Sequence, residues 1–351
     1  MRPIPLGPNL VRQFYRGGNA IRGLRGLDAG DDHTPEDWIA SVTTRAGTDT
    51  VGLTRLPDGR WLGDAVAADP EAFLGTDHTD HWGADPALLV KLLATDQRLV
   101  VHCHPDRAFA RRHLGCAHGK TEAWVVLATG AGDALVYVGF SHDVDMPTLR
   151  RWVLEQDTPA LLSALQPVPV APGDALLVPA GVPHAIGAGI MVTEVQEPTD
   201  LSVLLEWRGF DVDGRRLGHL GLGFDLALTS VDRSAWTPDR LAGLRRPGTE
   251  VRLGPVVDRD GTPAVPPVQD ALPASASPFF GAEWLHPAPS LVRDASYAVL
   301  VVTSGTGRLR TAEGHETALR RGDTVLVPHG AGACELSGPV EVLRCLPPGL
   351  P

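Results

Sequence analysis

Residues 173–184 read GDALLVPAGVPH, and residues 322–333 read GDTVLVPHGAGA. The two stretches agree at six positions and in the same order: Gly-Asp, then Leu-Val-Pro, then Gly one residue on. A glycine turn, a short apolar run and a Pro-Gly turn mark a buried strand held between two tight bends. Their recurrence at identical spacing implies two related β-units in one chain.

Outward from these stretches, short apolar runs bounded by Gly, Pro or Asp recur at 88–94 (LLVKLLA), 98–104 (RLVVHCH), 123–128 (AWVVLA), 134–140 (ALVYVGF), 175–179, 189–196 (GIMVTEVQ) and 201–207 (LSVLLEW). Their length and spacing predict strands of an antiparallel sandwich or barrel. Helices are expected only at 63–75, 106–115, 146–155 and 225–244. The expected organisation is a β-unit with helical insertions over 1–235, a connection that is helical and rich in Pro and Gly over 236–280, and a second β-unit over 281–351.

Composition narrows the function classes. The 351 residues are 43% apolar and 21% charged, enough to build cores, and the 39 glycines and 31 prolines demand many turns. Net charge is −11 with no basic stripe, which argues against nucleic acid as a partner. No apolar run of about 18 residues occurs and the N-terminal stretch lacks a signal-type apolar core, so no membrane partner and a cytoplasmic location are expected. Cys103, Cys116, Cys334 and Cys345 form no CxxC pair and read as reduced thiols, Cys103 as a small packed hydrophobe. Of 31 basic residues only Lys91 and Lys120 are lysines. An ammonium is a compact point charge that a guanidinium does not replace, so both are candidates for a shaped site.

In the run LVVHCHPD, His102 and His104 are two apart, so on a strand they leave one face about 7 Å from each other. His184, after the tight turn of 173–184, can bring a third imidazole to the same ion. His113 and His118 read as exposed residues of an insert, and His78 and His81 as loop residues.

The spacing G-x5-P-x-G-x2-H from Gly173 to His184 resembles the second motif of the cupin superfamily. VHCHPD, GKTEAWVVL (119–127) and VPAGVPHAIG (178–187), with PEDWIAS (35–41) and ALLVKLL (87–93), together resemble the type I phosphomannose isomerases over about residues 14–235. The resemblance implies a mainly β chain with two double-stranded β-helix (cupin or jelly-roll) barrels and a few helical insertions. It implies a metal site in which His104, Glu122 and His184 match the family's zinc ligands, while His102 stands where the family usually has Gln. Such a set suits Zn2+ first, with Fe, Mn, Ni or Co as alternatives. Glu194 matches a glutamate near the sugar and is the candidate general base. Lys120, placed two residues before Glu122 on the same strand face, and Lys91 match substrate lysines. Arg208 falls near a family arginine close to the substrate.

The activity implied is metal-dependent aldose-ketose isomerisation of mannose 6-phosphate and fructose 6-phosphate, or a related sugar, through an enediol. The alternatives are a non-catalytic sugar-binding cupin and a metal-dependent cupin dioxygenase. A small sugar or sugar phosphate is the expected partner, and monomer and homodimer are both open. In the second unit Ala333 stands where His184 stands in the first, so no metal is expected there.

Overall fold

The computed structural model describes residues 1–248 and 266–349. It is mostly β, built from three antiparallel sheets. A seven-stranded sheet has the order Arg245–Arg246, Ala175–Val178, Glu122–Thr129, Ile190–Gln196, Leu89–Ala94, Glu36–Ile39, Leu10–Val11. A five-stranded sheet has the order Val203–Leu204, His102–Cys103, His184–Ile186, Leu135–Phe140, Leu165–Pro169. The third sheet, of nine strands, is organised around the long strand Ala298–Thr311, which pairs with Thr324–Val327 and Val340–Leu346 in its first half and with Glu316–Arg320 and Cys334–Ser337 in its second.

The alternation of side chains explains the layering. Leu93, Trp124, Val126, Leu176, Val178 and Val192 of the seven-stranded sheet share one core with Val136, Val138 and Ile186 of the five-stranded sheet, so these two sheets face each other. The neighbouring residues Val90, Leu92, Ala123, Val125 and Leu177 point the other way. There they join Trp284, Val299, Val301, Leu326 and Leu343 of the third sheet in a core shared by both units. The outer side of the five-stranded sheet is covered by the helices Met146–Glu155 and Thr158–Ala164, packed on Cys103, Phe140 and Ala185. The inner face of the third sheet carries its own core, with Leu300, Val302, Val325, Val327 and Val342.

Several local expectations change. The run 98–104 is a strand only at His102–Cys103, because the carboxylate of Glu206 takes the Val101 N–H at 2.9 Å and interrupts the ladder. The run 201–207 shortens to Val203–Leu204. The segment 225–244 is broken: Phe224–Ala227 and Pro238–Ala242 are short helices, and between them the N–H groups of Asp232 and Trp236 bond across to Gly181 and Phe140. Thr76–Trp82 is helical between Gly75 and Gly83, so His78 and His81 lie on a helix and not in a loop. Part of the connection expected at 236–280, namely 249–265, lies outside the described residues. Its described ends join sheets, Arg245–Arg246 pairing with Ala175 and Leu176 and Val268–Asp270 with Glu283–Leu285. At the N-terminus, Ile4–Leu6 pairs with Thr324–Leu326 and so belongs to the third sheet.

Candidate metal centre and active site

The two facing sheets bring the candidate residues together at one end of their shared interior. His102 and His184 are directly paired across neighbouring strands, and His104 lies just past the end of the His102–Cys103 strand. The three rings approach within 4.2 Å (His102 to His184) and 4.9 Å (His104 to each of the others), measured between centroids. From the opposite sheet, Glu122 and Gln196 stand in one cross-strand pair, and Trp124, Glu194, Lys91 and Trp38 form the adjoining row.

Two close backbone approaches assemble the ligand-bearing segments. Gly181, at φ +86°, donates its N–H to the His104 carbonyl at 2.6 Å, tying the turn before His184 to the segment that carries His104. That φ favours glycine. A Cβ on Gly119 would lie 2.6 Å from the backbone at Asp106 and Arg107, so only glycine lets the 119–122 segment lie against Pro105, whose carbonyl accepts the Lys120 N–H at 3.0 Å. Glu197 fixes the same segment: its carboxylate accepts the Thr121 N–H at 2.7 Å and the Arg107 Nε at 2.5 Å.

Each histidine is oriented by a carbonyl. Nδ1 of His102, His104 and His184 lies 2.9, 2.7 and 2.8 Å from the carbonyls of Val100, Leu201 and Val182. A carbonyl only accepts, so each Nδ1 carries the proton and each Nε2 presents a lone pair, the arrangement found around metal-bound imidazoles. The lone pairs converge. His102 and His184 bring Nε2 atoms to 3.1 Å, and Glu122 places Oε2 3.1 Å from His104 Nε2 and Oε1 3.3 Å from His184 Nε2. Ligand atoms of the three imidazoles all lie within 4.8 Å of one another. Buried acceptors facing acceptors repel unless a cation stands between them; the Lys120 ammonium meets Glu122 Oε2 and His104 Nε2, while the His102 and His184 lone pairs face each other at 3.1 Å. The donor set therefore fits a divalent metal ion.

Electrostatics agree with that use. Burial, with the charge of Lys120, holds His104 down at about pKa 3, and burial lowers His102 and His184 as well. All three are neutral and ready to ligate at ordinary pH. Burial works against charge on Glu122, but the Lys120 ammonium opposes it and the carboxyl lies well below its usual range. Trp124 Nε1 donates to Glu122 Oε1 at 3.0 Å and orients it.

Lys120 precedes the strand that starts at Glu122, so it does not share a strand face with it; its ammonium nevertheless reaches Glu122 Oε2 at 3.2 Å and His104 Nε2 at 3.1 Å. Glu194, 3% exposed, sets Oε1 3.3 Å from the Lys91 ammonium. Burial first, and then the charge of Glu122, push Glu194 up to about 7. Arg208 is not brought to the cluster: it is exposed, with its guanidinium on the Glu155 carbonyl at 2.9 Å, because the chain turns outward after the buried Glu206. His118 is buried rather than exposed, bonded to Asp85 at 2.7 Å and stacked on Trp82.

Glu36, Tyr15 and Asp200 border the site without having been singled out in the sequence. Glu36 lies on the strand beside Lys91, and Asp200, raised by burial, feels the charges of Lys91, Glu36 and Lys120. The EDW of PEDWIAS was the available signal for Glu36. Nothing local marks Tyr15, which reaches Glu36 only through the fold.

No family model matches the sequence. Among curated proteins, the mannose-6-phosphate isomerase of Streptococcus mutans is 28% identical over 353 residues, covering 97% of both chains. A mannose-6-phosphate isomerase of Bacillus subtilis is 26% identical over 261 residues, 73% of each chain. Among solved structures, the mannose 6-phosphate isomerase from Bacillus subtilis superposes with a TM-score of 0.72 at 20% identity, covering 98% of this chain and 99% of that one. A point variant of phosphomannose isomerase from Salmonella typhimurium gives 0.69 at 16% identity, covering 99% and 100%. At these identities the structures speak for the fold, and the curated relatives speak for likeness in sequence along nearly the whole chain; in both respects this chain is similar to the mannose-6-phosphate isomerases.

Proposed function

We propose that this chain is a metal-dependent aldose-ketose isomerase that interconverts mannose 6-phosphate and fructose 6-phosphate, with zinc held by His102, His104, Glu122 and His184. The reading rests above all on the convergence of three imidazole lone pairs and one carboxylate beside Glu194 and Lys120. Full-length kinship to enzymes named for that reaction supports the substrate pair. When bound, the metal supplies Lewis-acid stabilisation of the oxygens on C1 and C2 of the open-chain sugar.

The chain's own groups do the rest. Glu194 removes the proton from C2, leaving an enediolate, and returns it to C1, while the hydroxyl proton passes from O2 to O1, so the exchange is balanced. A carboxylate raised toward neutrality suits both halves of such a shuttle. The Lys120 ammonium offsets negative charge as it develops on oxygen. The buried walls, with Trp124 against the His184 ring at 5.5 Å, restrict water around the reacting carbons.

The test is elemental analysis of the purified protein, followed on the same sample by incubation with each sugar phosphate in D2O. About one zinc per chain with interconversion, or with deuterium at C2, is the expected result. Metal without either would overturn the assignment of this substrate pair.

A further inference from the structure

Lys91 is 2% exposed, and its ammonium is already enclosed by protein. It lies 3.3 Å from Glu194 Oε1, 3.5 Å from Glu36 Oε2 and 4.5 Å above the Trp38 ring. Such a group is poorly placed to meet a sugar and well placed to hold another side chain. Glu36 is more firmly fixed still. The Tyr15 hydroxyl donates to its Oε1 and the Trp38 indole N–H to its Oε2 at 2.6 Å, and Trp38 is itself fully buried on the strand beside Lys91. The series runs from Tyr15 and Trp38 through Glu36 and Lys91 to Glu194.

We infer that Glu36, clamped by Tyr15 and Trp38, is a positioning residue that fixes Lys91, and that Lys91 in turn orients Glu194 instead of binding substrate. The inference rests on the isomerase reading in naming Glu194 as the base. A glutamate has three rotatable torsions, and a base must aim one oxygen at a carbon-bound proton. An immobile ammonium 3.3 Å from Oε1, a buried oxygen with no hydrogen bond of its own, selects one arrangement and leaves Oε2 for that task. Without Glu36, the Lys91 ammonium would pair with Glu194 alone, pulling the carboxylate toward itself and weakening it as a base.

Two readouts test this. The chain has only two lysines, so labelling lysine with 15N at Nζ gives two ammonium signals in one spectrum. Glu36→Gln should move the Lys91 signal and leave that of Lys120 in place; an unmoved Lys91 signal would overturn the inference. In kinetics, Glu36→Gln should lower kcat about 10- to 100-fold, the usual range for a residue supporting a reactive group, with KM within about twofold. Lys91→Met should do the same, and the double variant should be no slower than the slower single one, since both act on Glu194 by one route. A raised KM at unchanged kcat would make Glu36 or Lys91 a substrate contact, and multiplicative losses would make them independent; either result refutes the proposal. Tyr15→Phe removes one hydrogen bond at constant shape and should show the same kcat effect on a smaller scale, which keeps the test open if Glu36→Gln does not fold. If the wild-type protein isomerises neither sugar phosphate, the functional reading fails, and the lysine spectrum alone decides whether Glu36 holds Lys91.

Discussion

The stretches 173–184 and 322–333 do the same structural work and different chemical work. Leu176 and Val178 face the interior of the first unit, Val325 and Val327 that of the second, and Leu177 and Leu326 both turn outward into the core between them. Each stretch is entered through a glycine near φ +90°, Gly173 and Gly322. The divergence comes at the turn that follows. In the first unit Gly181 holds the His104 segment and His184 opens the next strand. In the second, Gly330 accepts a hydrogen bond from the N-terminal amino group and Ala333 precedes the strand at Cys334. The in-out alternation is thus scaffold, and at the turn's end the first unit has a candidate metal ligand, His184, where the second has Ala333.

The sharpest way to break that contrast is His184→Ala, which should abolish metal binding and activity together. Its mirror, Ala333→His, should add no second metal to that of the first unit, because the second unit has no H-x-H pair. Full metal occupancy in His184→Ala, by elemental analysis, would remove His184 from the ligand set. Glu194→Gln comes next: kcat should fall about 10²- to 10⁴-fold with metal content and KM preserved. Leu177→Ala and Leu326→Ala should each cost about 2–5 kcal/mol in denaturant unfolding, since both empty the same shared core. Metal content per folded chain should stay unchanged in Leu326→Ala, and a loss would show that the second unit shapes the site. Lys120→Arg should lower kcat about tenfold, a guanidinium being too broad for the space beside Glu122 and His104.

The smallest effect is one of pH. On the proposed mechanism Glu194 takes a proton only when ionised, so kcat should rise with pH through about 7. Lys91 lowers the Glu194 pKa, so Lys91→Met should shift that rise to higher pH. A pH profile identical in the two proteins would remove the charge link between these residues.

Much of the site was legible because its residues sit in short motifs. His102 and His104 are two apart, His184 closes a turn of fixed spacing, and Glu122 stands in GKTEAWVVL, whose likeness to a family segment marked it. Arg208 and the lysine geometry were not legible. Whether a residue after a strand turns inward depends on where the chain goes next, and Arg208 follows it out to the Glu155 carbonyl. Lys120 reaches the cluster although it precedes the strand, because the 119–121 segment is pinned by Pro105 and Glu197, which are distant in sequence. His118 looked exposed for the same reason, its partner Asp85 lying 33 residues away.

By itself, then, the amino-acid order determined the β-rich class and marked three histidines as metal-ligand candidates, with Glu122 added by its resemblance to a family segment, since periodicity and turn chemistry act over a few residues. Only the tertiary structure decided that Ile4–Leu6 joins the far sheet, that Lys91 is enclosed between two carboxylates, and that Tyr15 and Glu36 stand behind it. Those relations are fixed by strand register and sheet facing, which arise from burial summed over the whole chain and leave no mark in any single stretch.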